Sequence, residues 1–450
     1  MADNVKPAGT YELVSFNLTP FSQNANGAGE NKSVDIKALI HTWEIVESIM
    51  SAAVRGSAKV YDSTGLLYDF PLRGEERIEV EYKDWRGETL TEKFILYSVT
   101  DVKPFSTGGD SGLEYKINFV SVGKFVSDKY DVRRCIAKGT GTDRTYIPVS
   151  EQAVVLFEDY FTENGSGTDK ELYTTPSDGS QKIVIPSMRP EDAMHLLTRK
   201  AWSATYQTQN YRFFETRRRY NFANIEDLFF EQDTDSESFD SLYFYSTRPV
   251  DNTPESERLK MQTIISYEYP SLNNSHENML SGAFYRKTNE LDITQRMEIV
   301  NEYIHKDKFQ EYNLPDFGQN LTHMNTDDFI ENQLNRYHYD YVVKDYPAVD
   351  EPPALRQRPA TYYPDIYNNK GAMNYHYNNT KAYIKVFGNN KIFPGMTINV
   401  QFPEQRPAGS DRKLDEERSG KYMIESIKNT FHEFKYYQDI TLVKGAILDA

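Results

Sequence analysis

The sequence predicts a mainly β protein with an α+β middle, and three observations carry that reading. Between Ala58 and Val122, five strand-like runs are joined by short polar turns, which is the pattern of an antiparallel barrel or sandwich. Residues 129–223 mix helix and strand signals. Residues 393–444 return to strands, in an order that echoes the first set.

The first 30 residues are polar and rich in Asn, Gly and Ser (FSQNANGAGENKS), as expected of a flexible or partner-ordered arm. Val34–Val54 fits two periods. Leu39, Trp43, Val46 and Met50 have helical spacing, whereas Leu39, His41, Trp43 and Ile45 alternate. Ala58–Tyr61 and Leu66–Tyr68 flank Asp62-Ser63-Thr64-Gly65, a hairpin signal. Ile78, Val80 and Tyr82 then alternate with Arg77, Glu79 and Glu81, giving a half-buried strand. A turn at Asp84–Gly87 leads to strands at Phe94–Thr100 and Tyr115–Val122, with residues 106–112 as the hairpin loop between them. In the middle, Pro190-Glu191-Asp192 opens a helix with proline in its first turn and acids at the positive dipole end. Tyr211–Glu215 reads as a strand, Asn224–Phe229 as a further element and Asp327–Tyr346 as a second helix. Residues 350–381 are rich in Pro, Tyr and Asn and read as a long irregular insertion.

The repeat consists of three matches in the same order. Residues 393–402 share with residues 70–82 an aromatic-proline pair, a glycine and an alternating strand. Tyr422–Ile427 echoes Phe94–Val99, and Asp439–Lys444 echoes Lys116–Ser121 in apolar phase. Any two strands look alike, so the shared order is the stronger sign of two related barrels.

The 450 residues carry a formal net charge of −16, which excludes a general basic nucleic-acid binder. Cys135 is the single cysteine, so neither an intramolecular disulfide framework nor a Cys-rich metal site is expected. No apolar run is long enough to span a bilayer, and no secretory signal is read at the start, so membrane insertion is not expected and a reducing cytoplasm is the expected site of synthesis. No active site or cofactor site is specified. Residues 139–143 lack the Lys-Ser/Thr of a phosphate loop, the eight histidines are scattered, and the carboxylates are too many for any pair to be singled out. Arg217-Arg218-Arg219 is a local basic patch, read either as a site for an acidic partner or as a strand end paired with Glu215 or Glu226. Tyr362, Tyr363, Tyr367, Tyr375 and Tyr377 lie in the insertion and are candidates for partner contact, with sugar binding as the competing reading.

Residues 61–65 (YDSTG) followed by residues 71–79 (PLRGEERIE) resemble the first tube-like domain of central baseplate hub proteins from contractile-tailed bacteriophages. Residues 213–222 and 280–293 are similar to later parts of the same family, so the resemblance runs from about Val34 to about Leu448. It implies two similar antiparallel tube-like β-barrels per chain, and it tips Val34–Ile45 toward a strand. The implied division is an arm at 1–30, a first barrel at 31–128 and a middle domain at 129–223. A second barrel is split between 224–270 and 376–450, around an insertion at 271–375.

The resemblance further implies a non-enzymatic homotrimer in the virion tail baseplate, assembled in the host cytoplasm. Six barrels would form a pseudo-sixfold ring adapting a hexameric tail tube to a trimeric spike. Its partners would be the central spike, the tail tube or tube initiator, baseplate wedge proteins and the tape measure protein, with DNA passing through the lumen without specific binding. An acidic lumen would let phosphate slide without sticking. Arg77, Ile78, Val80 and Tyr82, on an edge strand, and Ile398 and Val400 are the expected subunit-interface residues. The alternative is a tail-associated glycan-binding or glycan-degrading protein that uses the Tyr-rich insertion. A secretion-system spike base is disfavoured, because no repetitive β-helical segment follows Lys444.

Overall fold

The computed structural model describes residues 6–20, 33–70, 72–107, 110–137, 145–162, 167–203, 205–206, 208–231, 242–245, 254–271, 285–292, 296–304, 338–343, 380–404, 413–415 and 418–444. The first seven strands are β1 (Glu12–Thr19), β2 (Val34–Asp35), β3 (Ile40–Ser48), β4 (Arg55–Asp62), β5 (Arg77–Lys83), β6 (Thr89–Thr107) and β7 (Asp110–Ser121). They pair in the order β3-β4-β7-β6-β5-β1-β2.

Two local expectations change here, and an open one is decided. The supposed arm contains β1, which lies antiparallel along β5 with Phe16 opposite Val80 and Leu18 opposite Ile78. Phe16 and Leu18 are buried, so two apolar residues at period two suffice to draw a polar segment into the sheet. Leu66–Asp69 is a short helical turn instead of a strand. The carboxylate of Asp62 accepts the N–H groups of Thr64, Gly65 and Leu67, and Gly65 takes the left-handed φ of +79° that the turn requires. The ambiguous 34–54 stretch is extended over β3, where Trp43, Ile45 and Glu47 share the inward face.

The middle of the chain adds β8 (Val132–Cys135), β9 (Leu172–Thr174), β10 (Val184–Met188), β11 (Tyr211–Glu215) and β12 (Tyr220–Asn224), with helices at Val149–Phe157, Pro190–Thr198 and Ile225–Glu231. Its own core is built from Leu156, Phe161, Met194, Leu197, Phe213 and Phe222 among others. Strands β13 (Leu242–Phe244) and β14 (Ser266–Ser271) follow. A separate small sheet then holds β15 (Tyr285–Asp292), β16 (Met297–Ile304) and β17 (His338–Val343). The helix expected over 327–346 is therefore corrected at its end: His338–Val343 runs as a strand parallel to β15, and residues 305–337 lie outside those described. Alternating His, Tyr and Asp before two valines suits a pleated strand better than a helix. The chain closes with β18 (Thr380–Phe387), β19 (Thr397–Gln401), β20 (Gly420–His432) and β21 (Lys435–Lys444).

The C-terminal strands repeat the N-terminal connectivity. The path β3-β4-β7-β6-β5 is matched by β14-β18-β21-β20-β19, every neighbouring pair antiparallel. Around one bulge the match extends to single residues. β6 carries a bulge at Tyr97, between Leu96 and Ser98, and β20 carries one at Glu425, between Ile424 and Ser426. The Leu96 N–H donates to Glu76 O at 2.9 Å, and the Ile424 N–H donates to Met396 O at 2.9 Å. Ile78 opposes Phe94 just as Ile398 opposes Tyr422. The sixth strand breaks the likeness, because β1 is antiparallel to β5 whereas β13 is parallel to β19.

The two modules share one strand. Residues 420–423 of β20 pair with β19, while residues 426–432 pair with β3. Thirteen residues of strand reach about 40 Å, enough to serve both modules. The tip of the β20–β21 hairpin then enters the N-terminal core, where Phe431 stacks on Trp43 at 3.8 Å and on Tyr436 at 4.3 Å. Backbone bonds from Tyr11 N–H to Phe434 O and from Tyr436 N–H to Gly9 O tie the start of β1 to that tip.

Truncating Phe431 should therefore damage the distant N-terminal module. Phe431→Ala is expected to cost about 3–5 kcal/mol and to lower hydrogen-exchange protection in β3 and β4 while β18 and β19 keep theirs. Loss confined to β18–β21 would show that the core is not shared.

Candidate functional site

The two modules and the middle unit meet at a cluster of buried charges. The β11–β12 turn builds it. Thr216 Oγ1 accepts the N–H groups of Arg218 and Arg219, which closes the turn and drives Arg217 inward. The Arg217 N–H and Nε donate to the two oxygens of Glu47 on β3, both at 2.7 Å. Arg217 Nη1 reaches Tyr82 Oη on β5 at 3.0 Å and Asn390 Oδ1 at 3.2 Å. Arg218 donates to Asn390 O at 2.8 Å, and Arg219 lies over the Tyr173 ring at 4.1 Å. The basic patch is thus an internal clamp, with Glu47 as Arg217's partner in place of the Glu215 or Glu226 expected from sequence.

Glu215 serves a second line of contacts. It accepts the Val54 N–H at 3.0 Å, the Ser121 hydroxyl and Lys170 Nζ at 2.9 Å. From the C-terminal module, Asn429 donates to Glu47 at 3.0 Å and accepts from Tyr436 Oη at 2.7 Å and Gln438 Nε2 at 2.9 Å. Glu47 and Glu215 have no exposed surface, so every bond they make replaces one lost to water.

Glu92 on β6 completes the cluster. Burial, with smaller help from the charges of Glu47 and Glu215, pushes its carboxyl up to about 7 against the opposing pull of Lys170 and Arg217. Lys170 is held above its ordinary range because Glu215 and Glu92 outweigh the burial that opposes its charge. Three acidic side chains thus share the interior with two cations. The arrangement offers fixed charges held by directed hydrogen bonds, with Asn390 Nδ2 left without a partner among the described residues. Among the described residues no group of His, Cys, Asp and Glu is arranged to hold a metal ion. Cys135 is half-buried on β8, and no described helix is long and apolar enough to cross a membrane.

The residues singled out from sequence fall elsewhere. Ile78, Val80 and Tyr82 are buried in the N-terminal core, and Ile398 and Val400 in the C-terminal one, so their side chains face their own chain. Arg77 alone of that set is exposed. Nor is Arg77–Tyr82 an edge, because β1 and β6 occupy its two sides. An aspartate at Ile78 or Ile398 would destroy a core before it touched a subunit contact. Tyr362, Tyr363, Tyr367, Tyr375 and Tyr377 lie outside the described residues.

Sequence reasoning missed Glu47, Glu92, Lys170, Asn429 and Gln438, and it paired Glu215 with the arginines where the structure pairs it with Lys170. A signal existed for two of them. Glu47 has the phase of Trp43 and Ile45, and Glu92 that of Leu90 and Phe94, so each is an acid on an inward face.

No protein-family model and no curated protein sequence matches the chain. Solved structures do. A tail protein from Neisseria meningitidis MC58 aligns over 97% of this chain and 98% of its own, with a TM-score of 0.51 at 10% identity. The 43 kDa tail protein of prophage MuSo2 from Shewanella oneidensis aligns over 96% and 98%, with a TM-score of 0.51 at 9% identity. The chain shares its fold with these two tail proteins. The expected β-rich fold, built on a large antiparallel sheet, is borne out.

Two outcomes test the clamp. Arg217→Met leaves Glu47 buried without its cation and is expected to destabilise the chain by about 3–5 kcal/mol, read as a lowered denaturant midpoint. Glu92 has a folded pKa above its unfolded value near 4.5, so its contribution is fully present below that value and is lost as pH rises through about 7. The melting temperature of Glu92→Gln should accordingly vary less than the parent's between pH 5 and pH 8, with the largest gain over the parent at pH 8.

Proposed function

We propose that the chain is a structural hub of a phage-type contractile tail, without catalysis, working as a homotrimer. The observation that carries this reading is the repeat of one antiparallel strand path within a single polypeptide. Two like modules per chain, taken three times, give six like modules around an axis. Such a ring meets a hexameric tube on one face and a threefold spike on the other, so the duplication solves a symmetry mismatch that a single module cannot. A division into a first barrel, a middle domain and a second barrel split around an insertion is supported by three main hydrophobic cores, the first of which also takes in β1 and the tip of the β20–β21 hairpin.

The fold shared with two tail proteins supports a place in the virion tail. The partners that follow are a central spike, a tail tube or its initiator, baseplate wedge proteins and a tape measure protein. The net charge of −16 suits a lumen through which DNA passes without being held.

Light scattering on the purified protein is expected to give about 157 kDa, three times 52.2 kDa, with a ring and central channel in negative-stain averages. A monomer at tens of micromolar would overturn the self-assembled trimer. A glycan-dependent rise in melting temperature would favour the carbohydrate reading instead.

A further inference from the structure

The joint inside the chain offers a template for a joint between chains. Within the chain, the β20–β21 hairpin leans out of the C-terminal module and pairs with β3, the first strand of the path β3-β4-β7-β6-β5. The repeat makes β6–β7 the counterpart of β20–β21, and β14 the counterpart of β3. β5 covers the outer side of β6 only over residues 89–95, so among the described strands residues 98–107 pair with β7 alone. β14 ends its sheet, with β18 as its one partner among the described strands. One hairpin without an acceptor and one acceptor strand without a hairpin thus stand at opposite ends of the repeat.

We propose that the β6–β7 hairpin of one protomer docks on β14 of the next, repeating between chains the joint that β20–β21 makes with β3. This rests on the ring reading given above and adds its contact residues and register.

Exposure supports the assignment. Tyr97 and Val102 on β6 are 49% and 51% exposed, although both are large and apolar. By the matched bulge, Tyr97 corresponds to Glu425, which is 8% exposed, and Val102 falls where β20 has Asn429, which is fully buried at the internal joint. At the internal joint Asn429 is covered, donating to Glu47 and Ile45 O of β3, whereas Val102 is open where no such strand lies among the described residues. On the acceptor side Ile265, beside β14, is 40% exposed.

Register follows from the template. Thr430 opposes Glu44 across β20 and β3. Thr430 pairs with Tyr437 on β21 and Lys103 with Glu114 on β7, at matching places in the two hairpins. Glu44 pairs with Ser57 on β4 and Glu268 with Tyr383 on β18, again at matching places. Lys103 of one protomer therefore comes opposite Glu268 of the next. Charge agrees: Glu44 takes Lys428 Nζ from β20 at 2.7 Å inside the chain, and Glu268 has Lys103 to meet between chains.

Both residues are exposed, so neither substitution threatens the fold of a single chain. Directly opposed residues on antiparallel strands lie within reach of a disulfide. In a Cys135→Ser background, the pair Lys103→Cys with Glu268→Cys is expected to give covalent dimers and trimers on a non-reducing gel after mild oxidation, while either cysteine alone gives monomer. Lys103→Glu should weaken the trimer at low salt, and adding Glu268→Lys should restore it. A light-scattering trimer that neither cross-links nor responds to charge reversal would overturn this joint and leave the ring standing. A chain that stays monomeric at tens of micromolar would overturn both.

Discussion

The shared strand is the constraint from which the rest of the molecule follows. β20 is hydrogen-bonded to β19 at one end and to β3 at the other, with a bulge at Glu425 where it passes from one to the other. Such a bulge bends a strand and increases its local twist, as a strand leaving one curved sheet for another requires. Because Phe431 and Tyr436 beyond that bend belong to the N-terminal core, neither module is complete without the other. The orientation of the two modules is therefore fixed by backbone hydrogen bonds and ring stacking instead of by a linker. A part that must hold a fixed angle in an assembly gains most from that kind of joint.

The buried charges strengthen the same joint at a cost. Replacing a buried ion pair by apolar groups is often neutral or stabilising, so Arg217 and Glu47 are poorly explained as a source of net stability. They discriminate between arrangements. Arg217 reaches Glu47 on β3, Tyr82 on β5 and Asn390 in the C-terminal module, so a slip of any one of these elements strands a charge. Apolar surfaces can slide past one another at small expense, whereas a bidentate contact cannot. The middle unit thus locks an angle that the shared strand already sets.

How much of this was legible in the sequence depended on range. Local signals were read well: the alternation at Ile78, Val80 and Tyr82, the proline start of the helix at Pro190–Thr198, and the matched order of residues 94–99 with 422–427 all have structural counterparts. Non-local pairings were not. β1 contributes only Phe16 and Leu18 to full burial, within a polar segment whose composition reads as disorder, so its place beside β5 depends on a partner 60 residues away. The same missing partner made Arg77–Tyr82 look like an edge. Buried charges escaped for a related reason. An acid at an inward phase looks like an error in alternation until the cation that neutralises it, Arg217 for Glu47, is known from elsewhere in the chain.

The outer edge of β6 shows how a strand can stay available to one partner and closed to others. Its register slips between Thr100 and Lys103, and Asp101 there has a φ of +56°, so the strand is locally bent away from a flat edge. Lys103 and Pro104 follow: a charge and a residue without an N–H, both of which discourage casual strand addition. β20 has no such slip and no proline in the matching stretch, and its partner β3 is always present in the same chain. The difference follows from when each edge is covered. An edge that is covered as the chain folds needs no protection, whereas one that waits for a second molecule must refuse wrong strands in the meantime. A bent edge that carries Lys103 beside a proline does that, and an acidic residue at the matching position of the acceptor strand supplies the selective compensation.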